Sequence, residues 1–299
     1  MSRRHLVMLF TLAALWGASF MFIKIGDREL QPITLVGFRL ALGALTLVPI
    51  VLITVGPTRT ARELRAAAVP LAVTGLLNSA IPIFAISWAE TRLDSGLTAI
   101  IQASAPLFTA LLALRLSRDQ RVRGSRLAGL VVGFAGVALL VGGRPSGEIT
   151  AALAVVFAAL CYAAAALYAG RHLRDVSPLV TALGALTAAA IVTLPIGLFE
   201  LPSHVTGWKV TASVLTLGIA GTGIAYILYY GLISGAGASR AILITYLVPT
   251  FAVFYGAVLL GEPVTAAAIG GLVLVLAGVG LGTGAVRLGR ARRLASGET

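Results

Sequence analysis

Apolar residues dominate ten stretches of the chain, each about 20 residues long, and short polar stretches separate them. A run of about 20 apolar residues spans a bilayer as a helix, whereas an open sheet would leave unpaired backbone groups in lipid. We therefore predict an all-α integral membrane protein with ten transmembrane helices, here called spans 1–10. The predicted spans cover residues 6–24, 32–54, 67–89, 95–115, 125–143, 149–170, 178–199, 210–232, 238–260 and 266–286.

The pattern occurs twice along the chain. Pro32 and Pro178 begin corresponding segments 146 positions apart, and residues 129–137 recur as residues 271–279 with six of nine identical. Self-similarity at a long period indicates a duplicated unit. Because each unit has five spans, its two copies enter the membrane in opposite directions, as in many secondary transporters. We therefore predict two five-helix inverted repeats around a central cavity. The predicted units are residues 1–145 and 146–290, followed by a cytoplasmic tail, residues 291–299.

Composition and charge agree with a membrane protein. Hydrophobic residues make up 58% of the 299 residues and charged residues 11%, with a mean hydropathy of +0.97. A soluble domain of this length cannot bury so much apolar surface. The net charge of +12 does not indicate nucleic-acid binding, because the basic residues lie at the edges of apolar segments. Most of the 23 Lys and Arg lie in segments on the same side of the membrane as the N-terminus. Because Lys and Arg are enriched in cytoplasmic loops, both termini are predicted to be cytoplasmic.

Arg39 lies about seven positions into span 2, where a charge costs on the order of 2.5–3.5 kcal/mol on insertion scales. If it faces a watery cavity, its guanidinium suits a carboxylate or a phosphate. Alternatively, Arg39 snorkels to the outer interface or pairs with Asp27 or Glu29. The sequence leaves both alternatives open.

Other polar and aromatic side chains also fall well inside the spans. Asn78 and Gln102 lie near mid-depth, where an amide either lines a cavity or joins neighbouring helices. Deep Trp and Tyr side chains need a polar partner, which a cavity or a local hydrogen bond supplies. Ser104 is expected to bond to its own helix. The predicted substrate-binding residues are Trp16, Arg39, Asn78, Gln102, Tyr162, Tyr226 and Tyr246.

Proline and glycine are expected to shape the helices. Pro82, Pro106 and Pro249 lie inside spans and interrupt the backbone ladder, so they are predicted hinges. The spacing of glycines in spans 5 and 10, such as Gly133 and Gly278, favours tight helix packing over a ligand site.

Several kinds of chemistry lack their residues. All 11 acidic residues and the three His lie in loops or near span ends, so no proton relay and no embedded metal cluster is predicted. Without a Walker A motif, ATP is not expected to be the direct energy source. We expect facilitated diffusion or exchange rather than tight proton coupling, with no cofactor and no metal. Cys161 is the single cysteine, which excludes an internal disulfide.

Five stretches carry a resemblance to a known family. They are Leu12–Phe20 with Ile23-Lys24, Pro32 with Phe38-Arg39, Ala89 through Ser95-Gly96 to Ala105–Phe108, Val248–Phe251, and Leu260–Glu262. Together they resemble EamA-type transporters of the drug/metabolite transporter superfamily. Positions that match the family pattern are Trp16, Lys24, Arg39, Pro106, Pro249 and Glu262. In the first unit Asp119 stands where the family usually has Glu.

The resemblance implies a ten-helix, two-repeat transporter of small metabolites in a bacterial inner membrane, with spans 5 and 10 peripheral to the cavity. Our leading hypothesis is a secondary transporter that exports small metabolites, amino acids in particular, by alternating access. In this hypothesis Arg39 attracts a carboxylate, Asn78 and Gln102 orient it, and the aromatic residues contact the rest of the substrate.

The alternatives are a broad-specificity drug/metabolite exchanger, a membrane-embedded lipid-modifying enzyme and a non-transporting scaffold. An enzyme would need a nucleophile or a metal cluster near an interface, and none is evident, so a non-enzyme is predicted. The expected partners are a small-molecule substrate and the lipid bilayer, without nucleic acid, for a monomer or a homodimer.

Overall fold

The computed structural model describes residues 2–116, 125–142, 145–241 and 243–282. Regular secondary structure in these ranges is helical, without a strand. In chain order the apolar helices are α1 (Arg3–Gly26), α2 (Pro32–Thr54), α3 (Ala68–Glu90), α4 (Ser95–Gln102 and Ala105–Leu116), α5 (Ser125–Val141), α6 (Ser146–His172), α7 (Pro178–Phe199), α8 (Trp208–Ala236), α9 (Ile244–Leu260) and α10 (Ala266–Gly282). The predicted all-α membrane class is therefore confirmed.

Seven of these helices, α1–α4 and α6–α8, are long and apolar enough to cross a membrane. The apolar parts of α5, α9 and α10 have at most 17 residues. Such a helix is about 25 Å long, somewhat less than the ~30 Å of a bilayer's hydrocarbon. Residues outside the described ranges lie within two positions of each of the three, so the count of ten spans stays a prediction. Asp119 and the tail, residues 291–299, also lie outside the described ranges.

Two prolines mark the starts of helices, as the repeat predicts. Pro32 and Pro178 are the first residues of α2 and α7. Proline suits the first helical position because its φ is already helical and its missing N–H would have had no partner there.

The two ends of the helix bundle carry different charged residues, and different polar contacts join the helices at each end. A polar surface helix, Pro57–Ala66, lies in what the sequence predicts to be a loop. Its Glu63 accepts hydrogen bonds from Nε of Arg59 at 2.6 Å and from the backbone N–H of Ser177 at 2.8 Å. The end of the bundle that contains these contacts and the start of α1 is called the basic end. The opposite end, where α1 finishes near Glu90 and Glu262, is called the acidic end.

Helices pack against their counterparts from the other half of the chain. The largest contacts join α2 with α7 and α5 with α10, and α1 packs on α8 and α9 as α6 packs on α3 and α4. Glycine permits the close approach of α5 and α10, because a Cβ on Gly278 would lie 2.3 Å from Cα of Gly133. The predicted role of the span 5 and span 10 glycines in tight packing is confirmed.

Candidate functional site

A cavity of about 860 Å³ lies within the bundle. Its lining comes from α1–α4 and α6–α9, with Gly282 at the end of α10, and α5 adds no residue among those described. This volume falls within the range that is typical of small-molecule sites. The helices of both halves therefore enclose one space.

Two π-helical turns place polar groups on the cavity wall. One covers Leu76–Ala80 in α3 and the other Ile219–Ile224 in α8, and their first residues are 143 positions apart. In α3 the turn precedes Pro82, whose ring cannot sit against the carbonyl of residue 78 in a regular helix. The backbone widens instead, and Ile81 N–H bonds to the carbonyl oxygen of Leu76. Such widened turns are frequent at functional sites.

Arg39 is buried in α2, with 8% of its surface exposed, and lines the cavity. Its Nε donates to Oγ1 of Thr222 at 3.1 Å, and the Thr222 hydroxyl donates to the Leu217 carbonyl at 2.8 Å. The alternative of an ion pair with a nearby acid is not what the structure contains. Asp27 accepts hydrogen bonds from Ser87, and Glu29 accepts one from a backbone N–H. The guanidinium is thus held inside the bundle by a neutral hydroxyl.

An amide and several aromatic rings form the wall beside Arg39. Nδ2 of Asn78 donates to the hydroxyl of Tyr226 at 3.0 Å. The rings of Trp16 and Tyr229 have centroids 5.3 Å apart, and those of Tyr229 and Tyr230 are 5.4 Å apart. These spacings are typical of favourable aromatic pairs. A ligand in the cavity therefore meets a cation, an amide and a broad aromatic surface.

The structure brings most of the predicted binding residues together. Six of the seven line the cavity: Trp16, Arg39, Asn78, Gln102, Tyr162 and Tyr226. The seventh, Tyr246, packs against the apolar cluster that includes Leu97 and Leu107. Its chain neighbour Thr245 lines the cavity instead. Adjacent helical residues point about 100° apart, so depth in a span does not decide which face a residue occupies.

The predicted hinge prolines occupy different places. Pro106 and Pro249 line the cavity, whereas Pro82 is buried outside its lining and follows the π-helical turn of α3. In α4 the helix is interrupted at residues 103–104, and the Ser104 hydroxyl donates to the Ile101 carbonyl at 2.7 Å. The predicted local bond of Ser104 is confirmed. Whether these prolines act as hinges stays a prediction.

Sequence reasoning missed Thr222, which holds Arg39, and a group of charged residues at the acidic end. Glu90 is completely buried, and neither of its carboxylate oxygens has a hydrogen-bond partner among the described residues. Nζ of Lys24 donates to the carbonyl oxygens of Glu90 and Leu93, each at 2.6 Å. Glu90 lies at a helix end, where the sequence indicates a solvated residue. The sequence feature that could have indicated this group is the three-residue spacing between Ser87 and Glu90, which places both side chains on one face of α3.

Asp27 completes this acidic group. Its two carboxylate oxygens accept from the Ser87 hydroxyl at 2.9 and 3.0 Å. Burial raises the pKa of Asp27 to about 7, and the Ser87 hydrogen bond and the charge of Lys24 only partly oppose this effect. Asp27 therefore titrates near neutral pH.

Glu262 caps the first segment of α4 from a distant part of the chain. Its carboxylate accepts from the Ser95 N–H at 2.9 Å, the Ser95 hydroxyl at 2.7 Å and the Gly96 N–H at 3.3 Å. The first N–H groups of a helix have no partner within the helix, and a carboxylate there also complements the helix dipole. This contact joins the ends of α4 and α9.

A cavity that contains polar groups inside a bundle of long apolar helices is the construction of a multi-pass membrane transporter. Comparison with known families agrees, because the model of the EamA-like transporter family matches residues 3–142 and again residues 149–283. The chain belongs to the EamA-like transporter family and is a transmembrane transporter.

Individual proteins show the same relationship at low identity. The chain is 28% identical to "Uncharacterized inner membrane transporter YedA" of Escherichia coli (strain K12), over 85% of this chain and 82% of that protein. It is 24% identical to "Probable amino-acid metabolite efflux pump" of Salmonella typhimurium, over 98% and 99%. A crystal structure at 20% identity superposes with a TM-score of 0.68 and covers 94% of this chain and 98% of that one. The last comparison concerns the fold alone.

Proposed function

We propose that this protein exports small metabolites that carry a carboxylate, amino acids among them, by alternating access. The observation that carries the proposal is the buried guanidinium of Arg39 on the wall of the 860 Å³ cavity. The bond to Thr222 engages Nε alone. A carboxylate matches the paired N–H donors on one edge of a guanidinium, and its charge offsets the cost of burying the cation.

The rest of the substrate contacts the aromatic wall and the amide. Asn78 is already oriented by Tyr226, and Trp16 lies beside Tyr229. A compact side chain with some apolar surface fits such a wall better than a sugar phosphate does. The name of the Salmonella typhimurium relative, an amino-acid metabolite efflux pump, points to the same substrate class.

In this proposal alternating access arises from two five-helix repeats, ten spans in all, that cross the membrane in opposite directions. Its support is the way the helices run: α1 begins at the basic end, where His5 lies against Gly235, whereas α6 finishes there, close to Ser177. The pairing of α2 with α7 and of α5 with α10 is what a two-fold axis in the membrane plane would produce. Rocking of one repeat against the other would then expose the cavity to each side in turn.

We further propose an inner-membrane location with both termini in the cytoplasm. Basic residues such as Arg59, Arg62 and Arg65 lie at the basic end, and the positive-inside rule places such residues in the cytoplasm. The acidic end would then face outward. The protein would act without chemistry on its substrate, in agreement with relatives that are named as transporters.

Counterflow in proteoliposomes tests the proposal. Vesicles containing the purified protein and an unlabelled amino-acid mixture should take up labelled amino acids, and Arg39→Ala should reduce this uptake at least tenfold. Arg92→Ala removes an exposed arginine at the acidic end and should leave uptake unchanged. Uptake by Arg39→Ala at the wild-type rate, or no uptake by the wild type, would contradict the proposal.

The aromatic lining also suits a broad-specificity drug/metabolite exchanger. Exchange of apolar cations, with rates that Arg39→Ala does not lower, would favour this second candidate. A cation would be repelled by Arg39 and would depend on rings such as Trp16 and Tyr229 instead.

A further inference from the structure

The acidic end contains more buried negative charge than its hydrogen bonds satisfy. Glu90 is 0% exposed, and both of its carboxylate oxygens are without a partner among the described residues. An ionised carboxylate in such surroundings is costly, because it loses its hydration without gaining a hydrogen bond. A proton on Glu90 would remove that cost without any change in the fold.

The neighbouring groups form a compact cluster around Glu90. Ser87 and Glu90 lie on one face of α3, and the Ser87 hydroxyl binds Asp27 at the end of α1. Lys24 lies one helical turn before Asp27 and donates to the carbonyl oxygens of Glu90 and Leu93. One ammonium therefore accompanies two carboxylates, so a single proton makes the cluster neutral.

The other charged groups near the cluster do not alter this balance. Besides Asp27 and Lys24, the charged groups that interact electrostatically with Glu90 are Glu262 and Arg39, and their charges are of opposite sign. Glu262 is engaged at the start of α4, and Arg39 is held by Thr222. The remaining charged groups on the elements packed around the end of α3 are Arg28, Glu29, Arg92, Asp94 and Glu148.

We propose that Asp27 and Glu90 together form a proton-binding site that is occupied while the acidic end is closed, and that opening of this end releases the proton. The carboxylic O–H bond ionises when the end opens, the electron pair stays on the carboxylate, and the proton passes to water on that side. Hydration of the carboxylate in the open state supplies the stabilisation that is missing in the closed state. Absence of acids at mid-depth thus does not exclude proton dependence.

The proton site itself is independent of transport, whereas its link to opening rests on the alternating access proposed above. Infrared spectroscopy of the full chain in lipid nanodiscs tests the site directly. At about pH 6, where exposed carboxyl groups are ionised, the wild type should show the C=O stretch of a protonated carboxylic acid. Glu90→Gln or Asp27→Asn should remove it, and Glu200→Gln, an exposed acid at the same end, should retain it.

The infrared outcomes are decisive without any substrate. Loss of the band in either variant supports the shared site. A wild-type spectrum without the band, or a band that persists in both Glu90→Gln and Asp27→Asn, overturns it. Because this readout requires no flux, a failed counterflow experiment with an intact band refutes the transport proposal and leaves the proton site in place.

Thiol labelling tests the link to opening. In a Cys161→Ala background, Ile86→Cys places a thiol on the buried cavity wall, and Val205→Cys places one on the exposed surface of the same end. An impermeant reagent is added only on the acidic-end side of sealed vesicles, so that the thiol of Ile86→Cys reacts only when this end opens and water reaches it. The ratio of the two labelling rates then removes most of the pH dependence that the thiols share. Release of one proton on opening should raise this ratio with pH, by at most about tenfold per unit. The ratio should be flat in Glu90→Gln, and a flat wild-type ratio overturns the link.

Discussion

Nε of Arg39 lies 3.1 Å from Oγ1 of Thr222, a residue 183 positions further along the chain. Arg39 comes from α2 in the first half, and Thr222 comes from the π-helical turn of α8 in the second. The cation that dominates the cavity is therefore positioned by both halves of the protein. A change in the relative position of the two halves would therefore alter the position of the Arg39 guanidinium.

Thr222→Val should weaken both folding and binding. It leaves a donor of the buried Arg39 unsatisfied, which costs about 1–3 kcal/mol in unfolding free energy, and it frees the guanidinium from its position. Thr222→Ser keeps the hydroxyl and should stay close to wild type. Thermal unfolding in detergent and amino-acid counterflow measure the two effects, and equal behaviour of the two variants would exclude a role for the hydroxyl.

Asn78 and Tyr226 should be energetically coupled, because Nδ2 of one donates to the hydroxyl of the other at 3.0 Å. A cycle of Asn78→Ala, Tyr226→Phe and the double variant should give a coupling of about 0.5–1.5 kcal/mol in unfolding free energy. Trp16→Phe paired with Asn78→Ala provides a control pair without this bond. Strict additivity in the first cycle would show that the hydrogen bond does not stabilise the fold.

Glu262→Gln should destabilise the protein by about 1 kcal/mol, because it removes the charge that caps the start of α4. The matched control is Glu200→Gln, which changes an exposed acid at the same end of the bundle. The midpoint of thermal unfolding measures both. A shift of the same size in the two variants would assign the effect to net charge instead of the cap.

Asp27 should make stability fall as pH rises. Its pKa is about 7 in the folded protein, against 3.8 as the ordinary value, so the folded state binds more protons between about pH 4 and 7. The unfolding free energy should drop across this window by at most about 1.4 kcal/mol per pH unit. Asp27→Asn should flatten the curve of unfolding free energy against pH, and an unchanged slope in that variant would contradict the assignment.

Gly278→Ala should separate α5 from α10. The added Cβ would lie 2.3 Å from Cα of Gly133, so the helices must move apart at a cost of about 1–3 kcal/mol. Gly270→Ala on the same helix meets only Cδ2 of Leu139 at 3.7 Å, which is ordinary contact. Chemical unfolding should show a loss for the first variant and little change for the second. Equal losses would mean that the close contact with Gly133 does not account for the cost, because helix propensity favours Ala over Gly at both positions.

The sequence predicts the fold well where one dominant local force decides the structure. The long apolar helices, the starts of α2 and α7 at Pro32 and Pro178, and the tight packing of the glycines in α5 and α10 all follow from it. The π-helical turn at Leu76–Ala80 does not follow from the sequence, because a regular helix and a widened one differ little in local energy.

By itself, the sequence determined that this is an all-helical membrane protein of the EamA-like family with an arginine inside a span, because hydropathy and repeated motifs are properties of the chain alone. Only the tertiary structure decided that Thr222 holds Arg39, that Tyr246 packs outside the cavity lining, and that the buried carboxylate of Glu90 has no hydrogen-bond partner within the described ranges. These features depend on which helix faces meet across the bundle. In a span that is apolar all round, the sequence pattern does not specify that face.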